Sequence, residues 1–363
     1  MLKIKIYIFH PYSGIGGADL SLSRLINNLD KRFYDITFIT LKSPKIRYYL
    51  KRKIEIISLN SNRTIFSIMK LRNIILSRKK KDKEFKKIIF ISNQNFANII
   101  SLISLYKINH LKTILIERNH PDELTLVSSY KNLIIKYLIK YLYKYADYII
   151  GISKTLSKDL GNLCKKKVIT IYNPSFDKKI LEIKKIKTNG KKLILCVARL
   201  EKQKNHIMLL EAFKNSLKTI KSNLLLIGYG SEKNKILKFI KKNKLKQNVK
   251  IISNAKNAYK YYKKADLFVL TSLYEGFGNV LVEAGAFKIP IISTNCNSGP
   301  KEILKNGLNG YLVKINDIDT LTKLIVKNLN KPNKLKINNM FKSLKEFSLE
   351  QNVKKYEKIF KKI

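Results

Sequence analysis

Short apolar runs alternate with longer amphipathic segments along the whole chain. The short runs hold four to seven residues, are rich in Ile, Val, Leu and Phe, and predict strands. Helical periodicity fills most of the intervals, with apolar residues three and four positions apart. We predict strands at 3–9, 34–40, 54–59, 87–92, 113–117, 148–151, 168–172, 192–198, 223–227, 249–253, 267–271, 290–294 and 310–313.

Repeated strand–helix alternation predicts parallel sheets that are covered by helices on both faces. The alternation occurs twice, on either side of Pro174. Because proline cannot donate into a sheet and restricts the residue before it, this position suits a hinge. We predict an α/β protein with two doubly wound, Rossmann-like domains. The expected parts are an N-terminal domain at 1–174, a linker at 175–190, a C-terminal domain at 191–344 and a C-terminal helix at 345–363.

The chain is strongly basic, with a formal net charge of +49 over 363 residues. The excess is spread over both halves and consists mainly of Lys, since only nine of the 74 basic residues are Arg. Three interpretations stay open: the residue usage of an AT-rich gene, attraction to an anionic membrane surface, and phosphate contacts with nucleic acid. We expect no nucleic-acid partner, because the cations are not concentrated in one region.

Three cysteines without C-x-x-C spacing argue against a disulfide framework or a zinc site and favour a reducing compartment. Lys3 and Lys5 interrupt the first apolar run, so a signal-peptide core is not expected. No run reaches the roughly 18 apolar residues of a spanning helix. The stretches at 65–81 and 130–145 mix apolar and cationic residues, and suit either membrane-surface helices or sheet-packed helices with a Lys-rich outer face.

The most informative segment is 275–283, Glu-Gly-Phe-Gly-Asn-Val-Leu-Val-Glu. It joins a strand-like run to a helix-like run, and a glycine turn at such a junction presents backbone N–H groups to phosphate. Helical geometry separates Glu275 and Glu283 by roughly 12 Å or less, the scale of a nucleotide-sugar's diphosphate bridge. The alternative is two surface carboxylates near a helix start, where the helix dipole favours negative charge.

Other candidate residues follow predicted strands, where doubly wound sheets bind their ligands. Arg199 and Lys204 follow the strand at 192–198 and suit a diphosphate. Gly16 and Gly17 follow the first strand, and either approach a phosphate closely or form an ordinary turn. His120 follows the strand at 113–117, and either polarises a hydroxyl or is a loop histidine beside a proline.

Asp317-Ile-Asp319 matches the D-x-D pattern of metal-dependent glycosyl transfer. Aspartate is also a favoured helix cap and complements the helix dipole. We therefore predict a helix start here and no metal site.

Taken together, these residues resemble the retaining family 4 glycosyltransferases of the GT-B fold. The resemblance rests on the loop at 16–17, the segment 198–205, the Glu-x7-Glu element at 275–283 and the segment 290–304, and it covers most of the chain. It implies two Rossmann-like domains that face a cleft, with a C-terminal helix that crosses back to the first domain. The stretch Ser-Gly-Pro-Lys-Glu-Ile at 298–303 looks like the subgroup that adds hexose or N-acetylhexosamine to lipid-linked oligosaccharides and surface polysaccharides.

The resemblance also implies roles for single residues. Glu275 contacts the transferred sugar, Arg199 and Lys204 hold the diphosphate, and His120 stands where some relatives have an active-site histidine and others Asp. The chain lacks a Gly that relatives often carry beside the base. The remaining implied donor contacts are Gly16, Gly17, Ser253, Asn254, Gly278, Asn279, Val280 and Glu283.

The implied reaction moves a hexose or N-acetylhexosamine from a UDP-sugar to a polyprenyl-diphosphate-linked glycan, in the synthesis of surface polysaccharide, lipopolysaccharide or glycoprotein glycans. No metal or other cofactor is expected, because cationic side chains and helix dipoles stabilise the leaving diphosphate. We expect a cytoplasmic enzyme on the inner face of the cell membrane. One alternative is a UDP-sugar 2-epimerase-like GT-B enzyme, although only four histidines are present. The other is a basic nucleic-acid-binding protein, although no binding module is recognised.

Overall fold

A computed structural model describes residues 3–11, 16–43, 45–120, 130–182, 190–253, 255, 258–296 and 298–363, with residue 131 described by its backbone only. The chain forms two compact units. Unit 1 consists of Met1–Pro174 and Leu349–Ile363, and unit 2 consists of Ser175–Ser348.

Both units are built on parallel sheets. The strands of unit 1 are β1 Ile4–Phe9, β2 Tyr34–Thr40, β3 Glu55–Ser58, β4 Lys87–Asn93, β5 Lys112–Glu117, β6 Tyr148–Gly151 and β7 Val168–Thr170. Those of unit 2 are β8 Lys192–Val197, β9 Ser222–Ile227, β10 Val249–Ile252, β11 Leu267–Leu270, β12 Ile291–Thr294 and β13 Tyr311–Val313. The strand orders are β3-β2-β1-β4-β5-β6-β7 and β10-β9-β8-β11-β12-β13.

Helices connect most of the strands. They are α1 Gly17–Asn28, α2 Ile68–Ser77, α3 Asn95–Ser104, α4 Tyr130–Leu142, α5 Lys154–Cys164, α6 His206–Ser216, α7 Lys233–Lys242, α8 Tyr259–Tyr262, α9 Asn279–Ala286, α10 Gly299–Ile303, α11 Ile318–Asn330, α12 Lys334–Ser343 and α13 Leu349–Lys362. Within the described ranges, none of these helices is both long and apolar enough to cross a bilayer.

The order of the strands determines which face of the unit 1 sheet each helix covers. From β3 the chain passes through α2 to β4, and then steps outward through α3, α4 and α5. Right-handed crossovers in one direction put these four helices on the same face. They pack side by side, α2 on α3, α3 on α4 and α4 on α5. The step from β1 through α1 to β2 runs the other way, and α1 packs on α13.

The hydrophobic cores lie between these helices and the sheets. In unit 1, Phe9 and Ile75 belong to one buried cluster, and Leu115 and Ile139 to a second. In unit 2, Phe213 of α6 packs in a cluster with residues from β8, β9, β11 and α11. Strands that are buried on both faces explain the nearly continuous apolar runs of the sequence.

The predicted α/β architecture with two doubly wound sheets is confirmed, and each predicted strand is present within two residues of its expected ends. The C-terminal helix, α13, belongs to unit 1 as expected. There the ring of Phe360 meets that of Tyr34 edge to face, with centroids 5.8 Å apart.

Candidate functional site

The centre of the candidate site in unit 2 is a buried ion pair. Lys204 ends a short 3₁₀ turn after β8, and Glu275 lies in the loop after β11. The Lys204 Nζ atom is 2.5 Å from Glu275 Oε1, and the two side chains are only 12% and 9% exposed. The hydroxyl of Ser272 donates to the same oxygen at 2.6 Å. No described group bonds to Glu275 Oε2, so this oxygen is available to accept from a ligand hydroxyl.

Gln203 ties the loop after β8 to the loop after β11. Its backbone carbonyl accepts from the Leu273 amide at 2.8 Å, and its side-chain Nε2 donates to the Tyr274 carbonyl at 2.8 Å. The exposed guanidinium of Arg199 donates to Gln203 Oε1 at 3.3 Å. Of the two predicted cations, Lys204 therefore contacts Glu275 directly, and Arg199 is linked to the Glu275 loop through Gln203.

The loop after β12 supports the Glu275 loop from its other side. Thr294 Oγ1 and Cys296 Sγ both donate to the Ser272 carbonyl, at 2.5 and 3.1 Å. Ser298 Oγ donates to the backbone carbonyl of Glu275. A Cβ atom on Gly299 would lie 1.8 Å from the Phe277 carbonyl oxygen, so only glycine allows this close approach. Residues of the segment 290–304 therefore hold the backbone of the loop that carries Glu275 in place.

Gly278 begins α9 from a left-handed backbone conformation, with φ 95° and ψ 53°, which favours glycine. The first amides of a helix have no partner within the helix, and the dipole adds positive potential there. Asn279 and Val280 are the first two residues of α9. The side chain of Asn279 accepts from Ser175 Oγ at 2.7 Å. This helix start presents N–H groups beside the Glu275 loop, as an anion site requires.

Glu283 lies within α9, as the sequence predicts, and its side chain is buried. Tyr262 donates from its hydroxyl to Glu283 Oε2 at 3.1 Å. The Tyr262 ring stacks between Phe268 and Phe287, with centroid distances of 5.6 Å to each. Burial, and then the Glu283 carboxylate, raise the pKa of the Tyr262 hydroxyl well above its ordinary value. The hydroxyl therefore stays protonated and serves as a fixed donor to Glu283.

His206 is a buried histidine beside the ion pair. It is the first residue of α6, and neither of its ring nitrogens has a hydrogen-bond partner among the described residues. Burial, and then the positive charge of Lys204, lower the pKa of His206 to about 4. The imidazole is therefore neutral at physiological pH and adds no cation to the site.

Of the two residues predicted to bind the base, the structure describes only Ser253. Ser253 follows β10 and is half-buried. Asn254 lies outside the described residues. Their contact with a base stays a prediction.

In unit 1, the predicted glycines stand at the start of α1. Gly16 caps this helix in an extended conformation, and its amide donates to Asp19 Oδ2 at 3.2 Å. Gly17 is the first residue of the helix. Because the φ of Gly16 is −130°, its conformation does not require glycine. The close approach of Gly16 and Gly17 to a phosphate stays a prediction, and residues 12–15 of the same loop lie outside the described residues.

His120 is buried just after β5, in the part of unit 1 where it is predicted. Its Nε2 atom is 2.8 Å from Oδ2 of Asp159 in α5. A carboxylate on one ring nitrogen fixes the orientation of an imidazole, as in many acid–base sites.

Unit 1 contains a buried polar network at its strand ends, which was not predicted from the sequence. Arg118 donates from Nε to Asn93 Oδ1 at 2.6 Å and from Nη1 to Asn173 Oδ1 at 2.7 Å. The amide nitrogen of Asn93 is 3.0 Å from His10 Nδ1, and His10 Nε2 is 3.3 Å from Asp19 Oδ1. The network therefore runs from the loop after β5 to the helix that begins at Gly16.

The Asp317-x-Asp319 motif starts a helix, as predicted. Asp317 accepts from the Thr320 amide at 3.0 Å and caps α11. Within the described ranges, no three His, Cys, Asp or Glu side chains converge as a metal site.

Sequence reasoning missed the residues that support the predicted ones. Ser272 stands three positions before Glu275, and Gln203 lies inside the quoted 198–205 segment, so local spacing gave a usable signal for both. Tyr262 and Ser298 come from other segments and carry no such signal, since their partners are known only from the fold.

Comparisons with known proteins agree with this geometry. A family model described as "Glycosyl transferases group 1" matches residues 177–343. The N-acetylgalactosamine-N,N'-diacetylbacillosaminyl-diphospho-undecaprenol 4-alpha-N-acetylgalactosaminyltransferase of Campylobacter jejuni is 29% identical over 337 residues, 88% of each chain. An uncharacterized glycosyltransferase of Methanocaldococcus jannaschii is 33% identical over 304 residues, 77% of this chain and 73% of that protein.

Among solved structures, Anabaena HepE in complex with UDP-glucose has a TM-score of 0.81 at 17% identity, over 99% of this chain and 100% of that one. This likeness confirms the predicted GT-B fold.

Proposed function

The chain belongs to the glycosyl transferases group 1 family, and from this premise we propose that it transfers a sugar from a UDP-sugar to a lipid-linked glycan. The sugar is a hexose or N-acetylhexosamine, and its anomeric configuration is retained. The observation that carries the proposal is the buried Lys204–Glu275 pair beside the glycine start of α9. It combines a cation and helix amides for a diphosphate with a carboxylate for sugar hydroxyls.

Departure of UDP is the step at which negative charge develops. Lys204 has three N–H donors, and Glu275 takes one of them. The other two, with Arg199 and the first amides of α9, stabilise the leaving diphosphate in a site that is already organised before the reaction. We propose that no metal is needed, because these groups neutralise the diphosphate themselves.

Glu275 acts at the sugar end of the donor. Ser272 and Lys204 hold one of its oxygens, and Oε2 accepts from a sugar hydroxyl. This contact orients the anomeric carbon so that the acceptor hydroxyl attacks from the face that UDP leaves. The carboxylate also stabilises the positive charge that develops on the sugar ring.

Glu283 acts at the ribose end. Tyr262 fixes Glu283 Oε2, so the carboxylate is oriented toward the ribose hydroxyls without a conformational search. Because all UDP-sugars share this ribose, Glu283 contributes to affinity and not to the choice of sugar.

The proposed acceptor is a polyprenyl-diphosphate-linked glycan. The printed name of the Campylobacter relative describes transfer onto a diphospho-undecaprenol-linked sugar, which supports an acceptor of this class. The net charge of +49 suits both the diphosphate of such a carrier and an anionic membrane surface. All three cysteines are buried thiols, which is consistent with a reducing compartment. We therefore assign the enzyme to the cytoplasmic face of the membrane, with His120 on the acceptor side.

A donor screen tests the proposal. UDP-hexoses and UDP-N-acetylhexosamines are offered with a polyprenyl-diphosphate-linked acceptor, and thermal stabilisation by UDP is measured with Mg²⁺ and with EDTA. We expect UDP to stabilise the protein equally in both conditions, and one UDP-sugar to be consumed with retention. The Glu275→Gln variant provides the background rate. Absence of stabilisation by any nucleoside diphosphate would refute the proposal.

A further inference from the structure

One helix of unit 1 presents an apolar stripe to solvent. The stripe consists of Tyr130, Leu133, Ile134, Tyr137 and Tyr141 on α4, and their exposures lie between 42% and 88%. Their spacing of three, four, seven and eleven residues puts them on one side of the helix. Ile139, which faces the core, is on the opposite side. The outer surface of α4 therefore carries large apolar side chains, as its packed surface does.

The neighbouring helices of the same layer continue this pattern. Phe66, in the 3₁₀ turn just before α2, and Met69 of α2 are exposed, and so are Ile103 of α3 and Tyr106 just after it. In this layer α3 packs on α4, and α2 packs on α3. We call the segments 64–77, 95–106 and 130–145 the docking layer. In unit 2, exposed large apolar residues occur singly on separate elements, as on most soluble surfaces.

The docking layer contains no acidic residue. None of its three segments includes an Asp or a Glu, whereas 130–145 alone contains four lysines. The Nζ atoms of Lys140 and Lys144 stand 5.4 and 5.2 Å from the ring centroids of Tyr141 and Tyr145. Tyrosine rings with lysine ammonium groups beside them are typical of side chains at a membrane–water interface.

We infer that the docking layer rests on an anionic lipid bilayer, with the α4 stripe inserted among the headgroups. The inference rests on the proposed function, and it names the surface that brings the enzyme to a lipid-linked acceptor. An interfacial helix gains from the burial of its apolar side chains and from lysines that lie beside anionic lipid. A second copy of the chain is a poorer occupant, because two identical lysine-rich surfaces repel each other.

Vesicle flotation of the full chain tests the inference. The test variant is Leu133→Glu with Ile134→Glu, whose side chains are 59% and 57% exposed in α4. The matched control is Leu237→Glu with Leu335→Glu, at 44% and 68% exposure on two helices of unit 2. Both variants lose two exposed aliphatic side chains and gain the same negative charge. They differ only in the surface that is altered.

We expect the wild type and the control to float with phosphatidylcholine–phosphatidylglycerol vesicles and not with phosphatidylcholine alone. The test variant should lose binding roughly tenfold or more, because it removes apolar contacts and adds repulsion. Equal binding of the two variants, whether retained or lost, would overturn the inference. So would a wild-type dimer that only the test variant dissociates, since the stripe would then be a protein interface.

UDP-induced thermal stabilisation, measured on the same samples, separates this inference from the proposed function. The test variant should keep wild-type stabilisation by UDP, since the substitutions lie in unit 1. If UDP fails to stabilise the wild type while flotation still differs between the variants, the proposed donor site fails and the docking surface stands.

Discussion

Each of the two units is built on its own parallel sheet with helices on both faces, but the units differ in the residues that their loops and surfaces carry. Unit 2 has an ion pair at its strand ends, Lys204 with Glu275, and a helix start beside it. Unit 1 has a network of amide, imidazole and guanidinium groups around Arg118. Among the described residues, fourteen exposed large apolar side chains belong to unit 1 and six to unit 2.

This difference teaches that one architecture can carry two different sets of functional groups. Charged groups at the strand ends of unit 2 suit a donor diphosphate and its sugar, whereas the docking layer of unit 1, which contains no carboxylate, suits a lipid surface. Function is therefore read from loops and surface helices and not from the sheet that supports them. Substitutions in unit 2 can therefore test its donor site directly.

Lys204→Ala should have the largest effect. It removes the buried cation from the diphosphate and leaves the Glu275 carboxylate with Ser272 as its one remaining partner among the described residues. Transfer should fall on the order of 10³-fold, and UDP affinity should fall as well. Steady-state kinetics and calorimetry of UDP binding measure both. Lys202→Ala, an exposed lysine of the same 3₁₀ turn, is the control and should behave as wild type. Similar losses in both variants would mean that general positive charge, and not this site, binds UDP.

His206 should make unit 2 sensitive to acid. The pKa of His206 is about 4 in the folded protein, against 6.5 for the free side chain. As pH falls from 6.5 toward 4, protons bind the unfolded state preferentially, and His206 contributes a loss of about 3 kcal/mol of unfolding free energy. The contribution is fully present above pH 6.5. Urea unfolding across this window should show a shallower pH dependence for His206→Leu. An unchanged slope would mean that His206 does not titrate with unfolding.

Glu283→Gln should weaken donor binding without changing sugar preference. Loss of a charged acceptor for ribose costs about 1.5–3 kcal/mol, or roughly 10- to 150-fold in UDP affinity. The factor should be the same for UDP and for UDP-sugars, because the ribose is common to all of them. Competition binding with several UDP-sugars checks this. A factor that depends on the sugar would reassign Glu283 to the sugar end.

Tyr262→Phe should have the smallest effect. It deletes the hydrogen bond to Glu283 Oε2 but keeps the ring between Phe268 and Phe287. A net loss of about 1 kcal/mol corresponds to roughly a fivefold rise in KM for the donor, with kcat unchanged. Tyr261→Phe, the neighbouring and partly exposed tyrosine, is the control. A fall in kcat with unchanged KM would show that Tyr262 does not act through ribose binding.

Much of the fold was predictable because parallel strands are buried on both faces and appear as uninterrupted apolar runs. The prediction at 34–40 coincides with β2, Tyr34–Thr40. At 168–172 the apolar run is longer than β7, which ends at Thr170, because Ile171 and Tyr172 stay buried beyond the strand. Burial therefore continues where strand pairing stops, and the pattern alone does not show where that happens.

The candidate site was predictable where its spacing is local, as for the segment 275–283 and for Arg199 with Lys204. Partners such as Tyr262 and Ser298 are common residue types that only the fold brings to the site. The stripe on α4 was ambiguous for a related reason. Apolar residues occur around most of this helix, so the sequence does not tell which side packs on the sheet.

The most direct test compares UDP affinity and sugar transfer in Glu275→Gln, beside the wild type and Lys204→Ala. The glutamine still accepts from Ser272 but lacks the charge that the sugar ring needs, while Lys204 remains for the diphosphate. Transfer should fall on the order of 10³-fold, with UDP affinity within about twofold of the wild type. A loss of UDP affinity equal to that of Lys204→Ala, or transfer near the wild-type rate, would contradict the assignment of Glu275 to the sugar and Lys204 to the diphosphate.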